Sequence, residues 1–499
     1  MDGSRRKDVS MPEGLSAEEA AQDQLLQARE LHEEMGRWAV SGESIRLAEH
    51  EVEQEIERRS REVSRLVLQA HVSARGIGHV GPVLSVEGPS AEEAQQFRAR
   101  AVHTRELTSI FGTIDVSRQA YMATGESSIH PLDWGLQLPA RSFSYVLQSR
   151  LVDEVVRGPF DEAVESIRKQ TEVQVPKRSV EQVVAEAAQD FDAFYIQRAV
   201  RAPEQSGPIL VAAVDGKGVP LVKPEPAPQP ASRKKGEKAN KKKMATVAAV
   251  FTQQPYVRTP EEVVASLFDD QKSKEKPPRP EDKRVWASLT KEQAEVLEEV
   301  ARETASRDPQ KEKTRVVVTD GERRLQKGIL RVLPGILLIL DFIHALEYLW
   351  KAGHAFYEEG SREAEQWVRQ HALMILRGQV SQVVKGMRQS ATKRKLKGSK
   401  RKAVDKAASY FYRNRKRMEY DRYLAEGLPI ASGAVEGACK NLVKDRMERS
   451  GMRWLVDGAE AVLKLRAIHL SGDMEEYWNY HIKQDQLRLY SAQQQKLAA

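Results

Sequence analysis

A single cysteine, Cys439, stands in 499 residues. One thiol cannot close an intramolecular disulfide or build a cysteine zinc ribbon, which fits a reducing cytoplasm. Also missing is any apolar run of about 18 residues, the length that spans a bilayer. The opening MDGSRRKDVSMPEGLS carries no signal-peptide core. These absences predict a soluble, unexported chain that does not engage a membrane. Nor does one sign of charge dominate: 30% of residues are charged, yet the net charge is only +7. A basic surplus on a surface dense in both signs favours polyanionic partners. The length exceeds one ordinary domain and predicts two or three.

What is present reads first as helix. SAEEAAQDQLLQARELHEEM opens on a capping box of Ser16 and Glu19, and charged, helix-favouring sequence continues to about residue 72. Alternating apolar and polar residues around Gly112, over 104–122, predict a short β-hairpin. Downstream, Phe160, Ala163, Val164 and Ile167 share one helical face, and Val180, Val183, Val184 and Ala187 share another. The second of these helices is expected to start at a capping box of Ser179 and Gln182. Two such helices allow two readings, a helix-turn-helix gripping DNA or a packed pair serving the fold or a dimer interface. Glu181, Glu186, Asp190 and Asp192 favour the packed pair, because phosphates would repel them. The expected organisation is a helical region over 1–103, then a hairpin and helical pair over 104–205 with DNA-end binding or dimerisation as its candidate role.

From about residue 208 the pattern changes to strands. PILVAAVDGKGVPLVK predicts a buried strand ending on Asp215, a turn over Gly216–Gly218 and a second strand, and MATVAAVFTQ supplies a third. The intervening KPEPAPQPASRKKGEKANKKK is low in complexity and reads equally as a solvated linker or a phosphate-contacting arm. TRVVVTD and ILLILD, joined by a helix that Pro334 and Gly335 stop, predict parallel strands four and five, closing on Asp320 and Asp341. Strand ends of this kind open onto one sheet edge, where open α/β folds place their chemistry. One such aspartate is only what turns favour. Three gathered carboxylates repel one another unless a cation lies between them. Hard oxygen ligands suit Mg²⁺, and two such ions can clamp the attacking and leaving oxygens of a phosphoryl displacement. Glu436 adds a carboxylate in the first turn of a helix expected to begin near Ser432.

Residues 345–430 read as a helical insertion, with Trp350, Phe356 and Trp367 as core. Its second half mixes Lys393, Arg394, Lys395, Lys397, Arg401, Lys402, Arg413 and Arg415 with Tyr410, Phe411 and Tyr412. That composition suits gripping a phosphate backbone and stacking on exposed bases, a solvated face being the alternative.

Four blocks, AAVDGKGV, VVVTDGERRL, LILDFIHALEYLW and GLPIASGAVEGACKNLVKDRMERSGMRW, occur in this order. Together they resemble the bacterial insertion-sequence transposases of the ISKra family, over about residues 105 to 480. The resemblance implies a DDE enzyme with an α/β catalytic core of ribonuclease H-like type, a mixed five-stranded sheet with flanking helices. An all-helical insertion would interrupt this core, and a mainly helical N-terminal region with a small β-hairpin would precede it. The core would occupy 206–344 and, after the basic insertion of 345–430, the 431–499 remainder with its C-terminal tail.

By the same resemblance Asp215, Asp320 and Glu436 form the catalytic, metal-binding triad for Mg²⁺, with Mn²⁺ as substitute. Asp341 and His344 match a separate signature of Mutator-like and related transposases, Cys or Asp followed after two residues by His. It implies a role in ordering the catalytic fold or contacting DNA nearby. The plainer reading of His344 is a core histidine hydrogen-bonded to Asp341. The implied activity is hydrolysis at the element's ends and strand transfer into target DNA. Double-stranded DNA would be the partner, a homodimer or larger assembly the form, and the bacterial cytoplasm, at the nucleoid, the place. Two alternatives are a catalytically inactive, transposase-derived DNA-binding protein and a ribonuclease H-like nuclease. Some relatives carry paired cysteines where this chain reads YMATGESSIHPLDWGLQLP, so no zinc ribbon is expected here.

Overall fold

A computed structural model of the chain describes residues 16–86, 95–198, 206–222, 242–268 and 277–497. The chain divides into two compact units, Met1–Asp190 with Glu475–Ala499, and Phe191–Met474. Among the described residues no helix is long and apolar enough to cross a membrane.

In the first unit the helices Ala17–Ala39 and Glu49–Ala74 pack together. The Ser16–Glu19 capping box forms, Glu19 accepting from the Ser16 N–H at 2.7 Å and returning its own N–H to Ser16 Oγ. The predicted hairpin is longer than its alternating stretch and gains a strand. β1 (Val83–Val86), β2 (Gln95–Ser109) and β3 (Gly112–Met122) form one antiparallel sheet. Gly112 sits at φ 123°, a conformation that closes the β2–β3 turn and that side chains resist.

The helical pair is Phe160–Thr171 and Lys177–Ala187, with Val180, Val183, Val184 and Ala187 buried as their spacing predicts. The expected capping box of Ser179 and Gln182 does not form. Pro176 is the N-cap, three residues before the predicted cap Ser179, so Ser179 already lies in the first turn with its N–H on the Pro176 carbonyl. Glu186 is held by Arg141 at 2.6 Å, and Asp190 by His481 at 2.7 Å and Arg488 at 2.6 Å. Burial pushes the Asp190 carboxyl up, but the His481 and Arg488 hydrogen bonds outweigh it and hold the group below its usual range. These two acidic side chains therefore tie the unit together, which fits a packed pair.

The second unit is built on β4 (Ile209–Pro220), β5 (Lys242–Gln253), β6 (Glu281–Ser288), β7 (Thr314–Thr319) and β8 (Leu337–Leu340). Their order is β6-β5-β4-β7-β8, with β5 antiparallel to both β4 and β6, and with β7 and β8 parallel to β4. The sheet is thus mixed and five-stranded, as expected, but its membership differs in one place. The predicted turn at Gly216–Gly218 is absent: β4 runs straight through it, in unbroken register with β5 from Ile209↔Gln253 to Pro220↔Lys242. Asp215 accordingly lies within a strand and does not end one. Gly216 and Gly218 are tolerated there because Met244 and Lys242 fill the space their missing side chains leave, at 3.1 and 3.0 Å from where a Cβ would stand. The fifth strand is β6, whose charged start, Glu281 to Arg284, hid it from a search for apolar runs. Most of the Pro- and Lys-rich stretch, 223–241, lies outside the described residues.

The helix Arg323–Val332 joins β7 to β8 and stops before Pro334 and Gly335 as predicted. One apolar face of the sheet, including Val211, Val316, Val318 and Ile339, is continuous with the core of a wholly helical insertion. Its helices are Phe342–Phe356, Arg362–Leu376, Val380–Lys393, Gly398–Asn414 and Tyr420–Ala425. Trp350, Phe356 and Trp367 pack against that core, as expected. Tyr410 and Phe411 join it too, at 5% and 0% exposure, so neither offers a face to a base. Helical periodicity turns them inward with Val404, Ala407 and Ala408 and leaves only Tyr412 exposed.

Candidate functional site

Strand register sets the three aspartates in one row. Ala213 of β4 pairs with Val318 of β7, and Thr319 of β7 with Leu340 of β8. Counting on from those pairs places Asp215, Asp320 and Asp341 level across three adjacent strands, with about 4.8 Å between neighbours. The Asp341 N–H still donates to the Thr319 carbonyl at 2.8 Å, so the ladder reaches the row itself.

Asp341 is fully buried and caps the helix Phe342–Phe356. Its Oδ1 accepts from the Ile343 and His344 N–H groups at 2.6 and 3.2 Å. Its Oδ2 accepts from the Ser432 N–H at 2.7 Å and from the Ser432 hydroxyl. Four hydrogen bonds use the acceptor capacity of one carboxylate. Asp341 thus acts as a bracket between the end of β8 and the segment that carries Glu436. Its bond to His344 goes to the backbone, because an N-cap carboxylate faces the first helical N–H groups. The imidazole expected to receive it is one-third exposed, with Nδ1 4.0 Å from Glu347.

Glu436 lies in the first turn of the helix Gly433–Ala438, as predicted, and is exposed. Ligand-capable atoms of Asp341, His344 and Glu436 fall within 4.8 Å of one another. The helix continues as a π-helix over Cys439–Lys444, a form that recurs at functional sites. From its first turn the Cys439 thiol donates to Asp215 Oδ2 at 3.4 Å. Burial first, and then the neighbouring Asp215 carboxylate, push this thiol's pKa up, so it stays a donor. Cys439 therefore joins Asp215 on the sheet to the Glu436 segment.

Asp320 accepts the Glu322 N–H at 2.9 Å, and its carbonyl accepts the Tyr410 hydroxyl at 2.6 Å. Tyr410 is stacked on Tyr348 with ring centroids 3.9 Å apart, and burial raises its pKa, keeping the hydroxyl protonated. Between Asp320 and the helix that follows, Gly321 adopts φ 90°. A Cβ on Gly321 would approach Leu340 to 2.9 Å and the Tyr410 ring to 3.0 Å. Gly321→Ala should therefore destabilise the second unit by about 1–3 kcal/mol and displace Asp320. Thermal melting and metal-titrated activity of that variant check it: unchanged values in both would mean that the close approach is inconsequential.

The donor set can be tested against a metal. Asp341 has no acceptor capacity to spare, whereas Asp215 accepts one backbone N–H and one weak thiol, and Asp320 a single N–H. Those two carboxylates and the exposed Glu436 retain lone pairs. The carboxylates of Asp341 and Glu436 beside the His344 imidazole are a donor set that fits Mg²⁺ or Mn²⁺, and Asp215 and Asp320, though level with Asp341, lie outside that cluster.

The predicted DNA-contacting residues differ in availability. Arg394 is engaged by the Tyr357 hydroxyl at 3.0 Å and Arg401 by Asp405 at 2.9 Å. Arg413 bonds the Ser409 carbonyl, and Arg415 lies 4.2 Å over the Tyr412 ring. Lys393, Lys395, Lys397 and Lys402 are exposed and make no ion pair among the described residues. Sequence reasoning missed Ser432, Cys439 and Tyr410. Each works through a partner remote in the chain, Tyr410 through Asp320 and Cys439 through Asp215, and no spacing rule connects them.

The chain matches no protein-family model, and no curated protein matches it in sequence.

Proposed function

We propose that this protein is a DDE transposase with a ribonuclease H-like core, which binds the ends of its insertion sequence and catalyses metal-dependent strand cleavage and transfer. One observation carries the reading: Asp215, Asp320 and Asp341 are level across three adjacent strands, and Glu436 is bracketed beside them through Ser432. A sheet with an antiparallel meander on one side of β4 and parallel crossovers on the other supports the ribonuclease H-like assignment. So does the resemblance of the sequence blocks around these residues to the ISKra family.

Asp215, Asp320 and Glu436 would hold Mg²⁺, or Mn²⁺ in its place. When bound, the metal supplies the charge that activates water and stabilises the leaving oxygen. The chain's own contribution is to fix the carboxylates: Asp215 by the β4–β5 ladder, Asp320 by Tyr410, and Glu436 by the Asp341–Ser432 bracket. Water or a 3′-hydroxyl is the nucleophile, so no serine or tyrosine is required. Element ends must meet before joining, which calls for a homodimer or higher assembly on double-stranded DNA.

The test is incubation of the purified protein with Mg²⁺ and a labelled duplex carrying the flanks of its own gene. Nicked ends followed by joined products are expected. Nicking without joining would make the protein a nuclease, and binding without either would make it a DNA-binding derivative.

A further inference from the structure

The exposed face of the helix Gly398–Asn414 carries a cationic stripe that the expected phosphate contacts only partly anticipate. Lys402, Lys406, Ser409 and Arg413 recur at intervals of four, three and four residues, one side of the helix, and Lys416 follows in the 3-10 turn Arg415–Arg417. That side lies opposite the buried Val404, Ala407, Ala408 and Phe411. At Ser409, the one uncharged position, Arg388 of the preceding helix reaches across and donates to the hydroxyl at 3.4 Å. Its guanidinium fills the gap between Lys406 and Arg413. Lys402, Lys406 and Lys416 make no ion pair among the described residues, and the one acidic side chain of the helix, Asp405, is taken by Arg401 at 2.9 Å. The stripe is therefore unneutralised.

Its placement is as informative as its charge. Tyr410, one turn from Arg413, donates to the Asp320 carbonyl, and Asn414 bonds both the Tyr410 carbonyl and Gln326 of the helix after β7. The Arg413–Lys416 end of the stripe is thus pinned to the aspartate row, while the Lys402 end runs away from it. From Lys402 to Arg413 the helix rises about 16 Å. That length matches about five phosphates of one strand at roughly 3.4 Å of duplex rise each.

We propose that this stripe is a phosphate rail, holding the DNA backbone that flanks the scissile phosphate and delivering it to Asp215, Asp320 and Glu436. The proposal rests on the transposase reading and adds which surface sets the path of the substrate. The exposed Lys393, Lys395 and Lys397, at the junction between the helices Val380–Lys393 and Gly398–Asn414, are secondary to it, because they lie at the end remote from Tyr410.

The experiment uses the full chain in Ca²⁺ with a short fluorescent duplex of arbitrary sequence, titrated across a series of KCl concentrations. Removing three phosphate contacts in Lys402→Gln/Lys406→Gln/Lys416→Gln should reduce the slope of log affinity against log salt by about 2.7, at about 0.9 per contact. The matched triple variant at Lys393, Lys395 and Lys397 should reduce it by less than half as much. Superimposable melting curves of the variants and the wild type would show that the fold is kept. Lys406→Glu, a single exposed change, should by itself weaken binding more than tenfold at low salt. If the wild type binds but the stripe variant keeps its slope, or if both triple variants lose equally, the rail is refuted and the DNA reading stands. A wild type that does not bind the duplex at low salt overturns the transposase reading itself.

Discussion

Under the transposase reading, Asp215→Asn and Glu436→Gln should each lower Mg²⁺-dependent cleavage of end DNA by about a thousandfold or more, on the order of 4 kcal/mol of barrier. Each substitution keeps the side chain's shape and removes the negative charge that a hard cation needs. Neither should impair folding. The Asp215 side chain contributes no link to the β4–β5 ladder, and Glu436 is exposed. DNA affinity measured in Ca²⁺ should stay near the wild-type value, since that ion's longer and looser coordination supports binding without holding the reacting oxygens in line. Single-turnover nicking of a labelled duplex reads the result. Either variant cutting at close to the wild-type rate would remove that residue from the triad.

Asp341 should behave in the opposite sense, showing its effect in stability. Asp341→Ala removes the cap of the helix Phe342–Phe356 and leaves the buried Ser432 N–H without an acceptor, while the Ser432 hydroxyl keeps only Glu436 Oε1 at 3.4 Å. A lost cap costs about 1 kcal/mol and a stranded donor about 1–3 kcal/mol, so a total of about 2–4 kcal/mol is expected. The milder Asp341→Asn sets an amide against the Ser432 donors and should cost about 1–3 kcal/mol. Asp320→Asn keeps its backbone carbonyl for Tyr410 and should melt near the wild type. Melting curves beside calorimetric Mn²⁺ titrations separate the two aspartates. Should Asp341→Asn lose the metal while Asp320→Asn retains it, the triad is Asp215, Asp341 and Glu436, and the bracket is a ligand after all.

Legibility in the sequence followed locality. TRVVVTD and ILLILD announced β7 and β8 because buried parallel strands are continuous apolar runs, and Pro334 with Gly335 marked the helix end between them. β6 was invisible because its first four residues are charged. Gly216 and Gly218 signalled a turn that never forms, since glycine permits many backbone conformations and here extends beneath the Met244 and Lys242 side chains. Glu436 was placed correctly in a first helical turn, a property of neighbouring residues. The distinction between Asp320 and Asp341 came from the family resemblance alone and was not legible in their local pattern. Both close an apolar strand, and what separates them is Ser432, 91 residues along the chain from Asp341.

The continuity of β4 has a mechanical corollary. Twelve residues of unbroken pairing with β5 clamp the backbone on both sides of Asp215, so that carboxylate cannot shift without unzipping the sheet. Glu436 is anchored quite differently, on a six-residue helix that runs into a π-helical segment one residue overwide in each turn. The two halves of the site thus differ in stiffness. One jaw is machined into the sheet and, under the transposase reading, would fix where the phosphate lies. The other rides on a short helix held to Asp341 through Ser432 alone, so under the transposase reading it is the half that would adjust between a hydrolysed end and a target strand.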